Sequence, residues 1–548
     1  MSSLWILSVS AILLIAAYIF YGRGLERRWG IDPAAPTPAC ALRDGVDYVP
    51  ARASVVFGHE FASIAGAGPI NGPIIAAMFG WAPVLLWILL GGIFFGAVQD
   101  FAAMYASVKN KGKTIGYIIE QYIGKTGKRL FLVFVWFFSI LVVAAFADIV
   151  AATFNGFDAN GGRIPANAAV ASTSALFVAA ALGLGLFLHR RKPGNLTGSL
   201  VAIALLCLCI FLGMTFPGYL PQSTWLYLVF AYIFAASITP VWILLQPRDF
   251  LNSFLLMAMM LAAFVGVVTA GPEMNLQPFT GFVVDGVPLF PILFVTVACG
   301  AVSGFHSLVA SGTASKQIEN ERHMLPISFG AMLLECFLAV LALIAVGWLA
   351  VGGNAPEGAP PVIFATAIAQ FLGNLGISYE LAYTLITLAV SAFALTSLDS
   401  VARVGRVAFQ ELFTDSEADP GKLAPLSALL ANRYTATALT LLMGYLLAMR
   451  GYKDIWALFG SANQLLAALS LTACAVFLKK TGRAHKMLLF PMAAMLLITF
   501  TALGLTIHSL LVKLLFGGDF APMSDGLQLA FAVLLLALGV LVALAGIK

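Results

Sequence analysis

Apolar runs of about 20 residues recur along the whole chain, parted by short polar breaks, and such a run is what one helix needs to cross the hydrocarbon of a bilayer. Backbone N–H and C=O groups find no partner in hydrocarbon, so a chain built this way folds as spanning helices with their hydrogen bonds inside. The candidate spans are 4–21, 53–79, 82–107, 130–153, 168–188, 197–216, 225–245, 251–270, 288–313, 326–350, 379–402, 432–449, 455–478, 486–512 and 525–546. The expected fold is therefore an all-α polytopic membrane protein with about fifteen transmembrane helices. Of 548 residues, 61% are hydrophobic and only 10% charged, which leaves no room for a sizeable soluble domain and places any chemistry among the helices.

The first run is followed by Arg23, Arg27 and Arg28 rather than by a small-residue cleavage site, so it reads as a retained helix. Basic residues then collect in alternate loops: Lys109 to Lys113, Lys125 to Arg129, His189 to Lys192, Lys316 and Arg322, Arg403 to Lys422, and Lys479 to Lys486. The loops between them are poor in Lys and Arg, which predicts an outside N-terminus and a cytoplasmic C-terminus. A net charge of +5 says less than that distribution, and nothing in it points to nucleic acid. The six cysteines show no CxxC or His-paired metal spacing and read as small apolar residues.

Two segments are amphipathic rather than spanning. GKTIGYIIEQYIGKTG (112–127) carries Ile115, Ile118, Ile119, Tyr122 and Ile123 at helical spacing, and PPVIFATAIAQFLGNLG (360–376) is its counterpart on the other side. The likeness extends to letters: QYIGKTG (121–127) matches QFLGNLG (370–376), and VVAAFAD (142–148) matches AVSAFAL (389–395). Upstream of each lies a glycine-interrupted helix, ASIAGAGP (62–69) and ACGAVSGFH (298–306). The order is broken helix, helix, amphipathic segment, helix, and it recurs with opposite starting sides. An inverted repeat with interrupted helices in corresponding places is the sequence mark of a secondary transporter and its binding site. On this reading the chain divides into 1–52, a first half 53–287, a second repeat 288–480 and two closing helices 481–548.

A spanning helix unwinds only where its freed backbone groups face protein or water. Gly66, Gly68 and Pro69 mark the first break, and Gly300, Gly304 and Gly312 with Ser303, Ser307, Ser311 and Thr313 mark the second. Half-helix ends offer N–H groups to an anion and carbonyls to a cation. Candidate substrate contacts are therefore Ala67, Gly68, Pro69, Ser303, Gly304, His306 and Ser307. Titratable residues within spans are functional candidates by default, and His59, Glu60, Asp100, Asp148 and Glu335 are expected to relay a coupled proton. Asp100 and Asp249 lie near cytoplasmic ends, where snorkelling or pairing with Arg248 or a loop lysine also explains them. Thr396, Ser397, Asp399 and Ser400 gather oxygens within about one helical turn, enough for a small hard cation. HExxH, GxSxG, GxxxxGK[ST] and CxxCH are all absent, so the chemistry expected is transport driven by an ion gradient and not catalysis, with no cofactor beyond a coupled proton or sodium ion.

FGHEFASIAGAGPINGP (57–73), GAVQDFAAMYASVKNKGKTIG (96–116), QPRDFLNSF (246–254) and ACGAVSGFHSLVASGTASKQ (298–317) together resemble the carbon-starvation protein A (CstA) family of bacterial inner-membrane transporters. The resemblance implies uptake of peptides or pyruvate during carbon starvation and a leucine-transporter-like five-plus-five core. It also implies that Thr396 and Ser397 join backbone carbonyls near Ala65 and Gly68 around a cation. His59-Glu60 stands where many members carry a histidine pair. Seven helices rather than five precede the second break, so a hairpin is inserted, either 168–216 or 225–270, with 225–270 favoured as core. A transport-like nutrient sensor and an ion channel are the alternative readings.

Overall fold

The structure, a computed structural model, describes residues 2–44, 48–158, 160–191, 195–239, 243–413, 425–449, 451–516, 520–522 and 525–547. Lys192 and Lys422, two of the basic loop residues, lie outside these ranges. The chain begins with α1 (Ser3–Ala16), which runs through a π-helical stretch into α2 (Arg23–Trp29), then a short α3 (Pro38–Ala41). The first interrupted helix is α4 (Ala53–Ile64) and α5 (Gly68–Ala76). There follow α6 (Trp81–Gly91), α7 (Ala97–Lys109), α8 (Ile115–Tyr122), α9 (Lys125–Thr153), α10 (Pro165–Arg191), α11 (Asn195–Thr215), α12 (Gln222–Ile238) and α13 (Leu245–Ala270). The second interrupted helix is α14 (Leu289–Thr296) and α15 (Gly304–Gly312). The chain closes with α16 (Ala331–Leu349), α17 (Pro360–Gly373), α18 (Tyr379–Phe413), α19 (Pro425–Ala431), α20 (Arg433–Ala448), α21 (Tyr452–Lys480), α22 (Lys486–Leu515) and α23 (Asp525–Ile547).

Eleven helical stretches among the described residues are long and apolar enough to cross a membrane, or twelve if α4 and α5, bent by 42° at their break, count as one span. The other three expected spans fall on shorter elements: α12 with 17 residues, α20 with 16, and the pair α14 and α15. One large apolar core runs from Ile6 to Val542, and a smaller one gathers Phe177, Leu184, Leu206 and Leu251. The segment 112–127 is helical only over α8, because Gly124 at φ 127° turns the chain into α9. Its counterpart α17 is mostly buried, with Phe364, Ile368 and Phe371 in the core.

Packing follows a regular exchange. α21 lies against α9, α14, α7 and α8, while α13 lies against α18, α4, α16 and α17. α9 and α18 pack together extensively, and at the end of α9 Thr153 Oγ1 and Ser391 Oγ share a 3.0 Å hydrogen bond. α12 and α20 each pack on both α9 and α18. α11 touches mainly α10, and α10 in turn packs on α18 and α13.

The two breaks have local causes. Pro69 in the first turn of α5 carries no N–H, and Ala65, at ψ 57°, leaves the helical region. At the second break residues 297–303 are unwound, and Ser303 enters α15 from an extended conformation. The breaks interlock through glycines, with the Cys299 side chain seated on one of them. A Cβ on Gly68 would lie 2.5 Å from Cys299 Cβ, one on Gly72 2.8 Å from the Thr296 carbonyl, and one on Gly300 3.6 Å from Pro69 Cα. Small residues thus let two antiparallel backbones touch. The same helices are joined at their far ends: Ala51 N–H donates to Gln317 O at 2.9 Å and Val49 N–H to Lys316 O at 3.3 Å.

Candidate functional site

Four ionisable side chains meet in the membrane core beside the second break. His306, in the first turn of α15, places Nδ1 3.0 Å from Asp100 Oδ2 of α7. Its Nε2 lies 3.3 Å from Glu335 Oε2 of α16, an ion-pair contact without the alignment of a hydrogen bond. Glu60 of α4, within electrostatic reach of Asp100 and His306, has both carboxylate oxygens buried and unpartnered. All four are sealed from solvent. Three carboxylates around one imidazole, all buried, carry charge together only at a high cost. Gln99 fixes the surroundings, its Nε2 donating to the Ser303 carbonyl at 2.7 Å and reaching Asp100 Oδ1 at 3.4 Å.

The N-terminus of α15 is capped from another helix. Asn463 of α21 accepts from Phe305 N–H at 3.1 Å through Oδ1 and donates through Nδ2 to Ser303 Oγ at 3.0 Å. A narrow cavity opens between the two breaks, with Gly66, Gly68, Cys299, Ser397, Asn463 and Phe146 among its walls. Ser397 faces the first break so closely that a Cβ on Gly66 would lie 2.5 Å from its hydroxyl.

The expected substrate contacts meet different surroundings. Pro69 has no N–H and cannot donate to an anion. Gly304 is pressed on α21, where an added Cβ would lie 2.5 Å from the Asn463 carbonyl. Ser307 turns to Ser470 Oγ and the Gly304 carbonyl, both at 2.7 Å, and Ser303 turns to Asn463. Both ring nitrogens of His306 face carboxylates, Asp100 and Glu335. Gly312 ends α15 with open space around it and takes no part in the break. Ala67 and Gly68 remain at the break, Gly68 lining the cavity.

Among the relay candidates, Asp148 stands apart, close to the end of α9, accepting from Gln222 Nε2 at 2.9 Å. His59 lies one residue before Glu60 with Nε2 buried and unpartnered.

The expected cation set also comes apart. Arg248 Nη1 bonds Asp399 Oδ2, its Nη2 donates to Thr396 Oγ1 at 2.7 Å, and Asn252 Nδ2 donates to the same hydroxyl at 2.5 Å. The guanidinium thus engages Asp399 Oδ2 and the Thr396 hydroxyl, two of the oxygens expected around a cation, while Asp399 Oδ1 is left without a hydrogen bond. Ser397 and the carbonyls near Ala65 and Gly68 stay at the first break, on the other side of α18 from Arg248. Among the described residues no group of three or more His, Cys, Asp and Glu side chains is arranged to hold a metal ion.

Arg248 is the residue that sequence reasoning missed. It sits at 2% exposure inside α13, not at an interface where its head could reach water. The signal was an arginine followed directly by Asp249 at the start of an otherwise apolar helix, with Asn252 one turn on.

Two interrupted, interlocked helices around a buried ionisable set define a multi-pass membrane transport protein. The chain belongs to the carbon starvation protein CstA family, whose model matches residues 2–355 and 353–502. It is 32% identical over 581 residues to the peptide transporter CstA of Escherichia coli, covering 91% of this chain and 80% of that one. It is 31% identical over 605 residues to the pyruvate/proton symporter BtsT of the same organism, covering 93% of this chain and 82% of that one. Among solved structures, a variant of the Eremococcus coleocola manganese transporter matches 92% of this chain and 99% of its own length at a TM-score of 0.49 and 10% identity, a likeness too distant to bear on cargo or mechanism.

Proposed function

We propose that the protein is a proton-coupled importer of a small carboxylate, pyruvate or a short peptide, in the bacterial inner membrane. The observation that carries this reading is His306 held between Asp100 and Glu335, with Glu60 unpartnered beside them. A buried set that shares protons next to an interrupted helix gives a proton a binding site whose occupancy can change as the helices move. The relatives named as a peptide transporter and a pyruvate/proton symporter support the cargo and the ion. The guanidinium among Thr396 and Asp399 weighs against sodium.

The core is a five-plus-five inverted repeat among about fifteen spans. Its support is the exchange in packing, in which α13 meets α18, α4, α16 and α17 as α21 meets α9, α14, α7 and α8. On this reading α12 and α13 are the last two helices of the first repeat and α10–α11 is the inserted hairpin. The basic loops argue for an outside N-terminus and a cytoplasmic C-terminus.

Proteoliposomes loaded at neutral pH and diluted into acid or into sodium, with labelled pyruvate or dialanine outside, test this. Accumulation that follows the pH gradient and collapses with a protonophore is expected. Accumulation under sodium alone, or under neither gradient, would overturn the reading.

A further inference from the structure

Arg403, Arg406 and Arg433 gather where α12, α18 and α20 meet. Arg403 Nη2 donates to the carbonyls of Ala236 at 3.1 Å and Thr239 at 2.6 Å, and Arg406 Nη1 donates to that of Ser237 at 2.6 Å. These bonds cap the last turn of α12, whose carbonyls have no partner within their own helix. Capping does not account for the rest of the charge. Arg433, the first residue of α20, is exposed and within electrostatic reach of Arg406, with its guanidinium over the Tyr434 ring. Arg403 also feels Asp399, but that carboxylate is already bound by Arg248. Glu411, further along α18, lies with Lys128 and Glu120. Among the described residues neither Arg406 nor Arg433 has a carboxylate at ion-pair distance, and Arg406 Nη2 makes no hydrogen bond and is open to the surface.

Beside the arginines the surface is apolar. α19 packs on α18 and α20, is held by Gln410 Nε2 donating to the Ala431 carbonyl at 2.6 Å, and buries none of its residues. Leu426 and Leu429 stand outward on it at 67% and 57% exposure, and Val407 and Tyr434 are exposed on the adjoining helices. A short helix with uncovered leucines, ending two residues before an arginine stacked on a tyrosine, is the pattern of a segment lying at the level of lipid headgroups. We propose that this corner binds an anionic phospholipid of the adjacent leaflet, with its phosphate between Arg406 and Arg433 and its acyl chains along Leu426 and Leu429. The phosphate supplies the counter-charge that the neighbouring side chains do not, through the guanidinium donors left unused. A free phosphate would meet the same arginines and leave the leucines uncovered. Held here, the lipid joins α18 to α20 at the end of α12, where the protein itself sets like charges side by side.

The test is native mass spectrometry of the purified full-length protein in detergent, titrated with phosphatidylglycerol, with phosphatidylcholine of the same acyl chains, and with inorganic phosphate. The unaltered protein is expected to retain phosphatidylglycerol over phosphatidylcholine by about tenfold or more, and to bind inorganic phosphate far more weakly than either lipid. Arg406→Gln with Arg433→Gln should weaken phosphatidylglycerol by roughly 10- to 25-fold, about fivefold for each charge, and leave phosphatidylcholine unchanged. Arg406 also caps α12, so should that pair fail to fold, Arg433→Gln alone, at an exposed position, is expected to cost about fivefold. Arg27→Gln with Arg28→Gln removes the same charge from another exposed basic stretch, and should leave retention as it was. Leu426→Ser with Leu429→Ser should weaken both lipids and not phosphate. Equal retention of the two lipids by the unaltered protein, an anionic preference that survives loss of Arg406 and Arg433, an equal loss in the Arg27 and Arg28 variant, or phosphate bound as tightly as phosphatidylglycerol would each overturn the site.

Discussion

His306 Nδ1 lies 3.0 Å from Asp100 Oδ2, a contact between helices whose partners are 206 residues apart in sequence. It is the only cationic candidate described among the contacts of a set that also includes Glu335 and Glu60. The importance of the histidine is therefore structural and functional at once.

His306→Gln removes the one group able to balance the carboxylates. Acid-driven uptake should fall to background in proteoliposomes. Thermal unfolding should show a loss of about 3–5 kcal/mol, the usual effect of removing one partner from a buried ionic set. Retained accumulation under a pH gradient would remove His306 from the coupling path.

Glu60→Gln behaves differently, because neither carboxylate oxygen has a partner to lose. Stability should change by no more than about 1 kcal/mol, while the dependence of uptake on outside pH shifts. Initial rates across pH 5 to 8, chosen as a working range about the ordinary histidine pKa, check this. An unchanged profile would leave Glu60 as a spectator.

Gly304→Ala and Gly312→Ala make a controlled pair on α15. The first puts a Cβ 2.5 Å from the Asn463 carbonyl, and should destabilise by about 1–3 kcal/mol or more and lower uptake sharply. The second meets nothing within 4 Å and should stay within about 0.5 kcal/mol of the unaltered protein. Equal melting temperatures for the two would mean the α15–α21 contact is looser than described.

Replacing sodium by choline should leave uptake unchanged under an imposed pH gradient, and Ser397→Ala should not alter that indifference. Sodium-dependent uptake that Ser397→Ala weakens would restore the cation site that the Arg248 contacts argue against.

Hydropathy and glycine were enough to place the helices and both breaks, since each depends on residues within one or two turns. The amphipathic segment over α8 and its counterpart α17 were legible for the same reason. Asp100, His306 and Glu335 were each singled out as costly charges, but nothing local says that they meet. Arg248 was harder. Near a polar break it looks like a side chain reaching for water, and only its pairing with Asp399, 151 residues away, shows that it points inward. The same pairing explains why the hydroxyl-rich run around Thr396 read as a cation site: oxygens are visible in a sequence, and the guanidinium that occupies them is not. Asn463 shows the opposite case, an isolated polar residue in an apolar helix whose task is to cap a neighbour.

The hydrogen bonds from Val49 and Ala51 to Lys316 and Gln317 fasten the start of the first broken helix to the end of the second. With the glycine contacts at the breaks, the two are riveted at two points along their length. A lever pinned twice cannot swing about either pin. Moving either broken helix alone at that clasp would break a strand-like seam two hydrogen bonds long, a cost that moving the pair as one piece avoids.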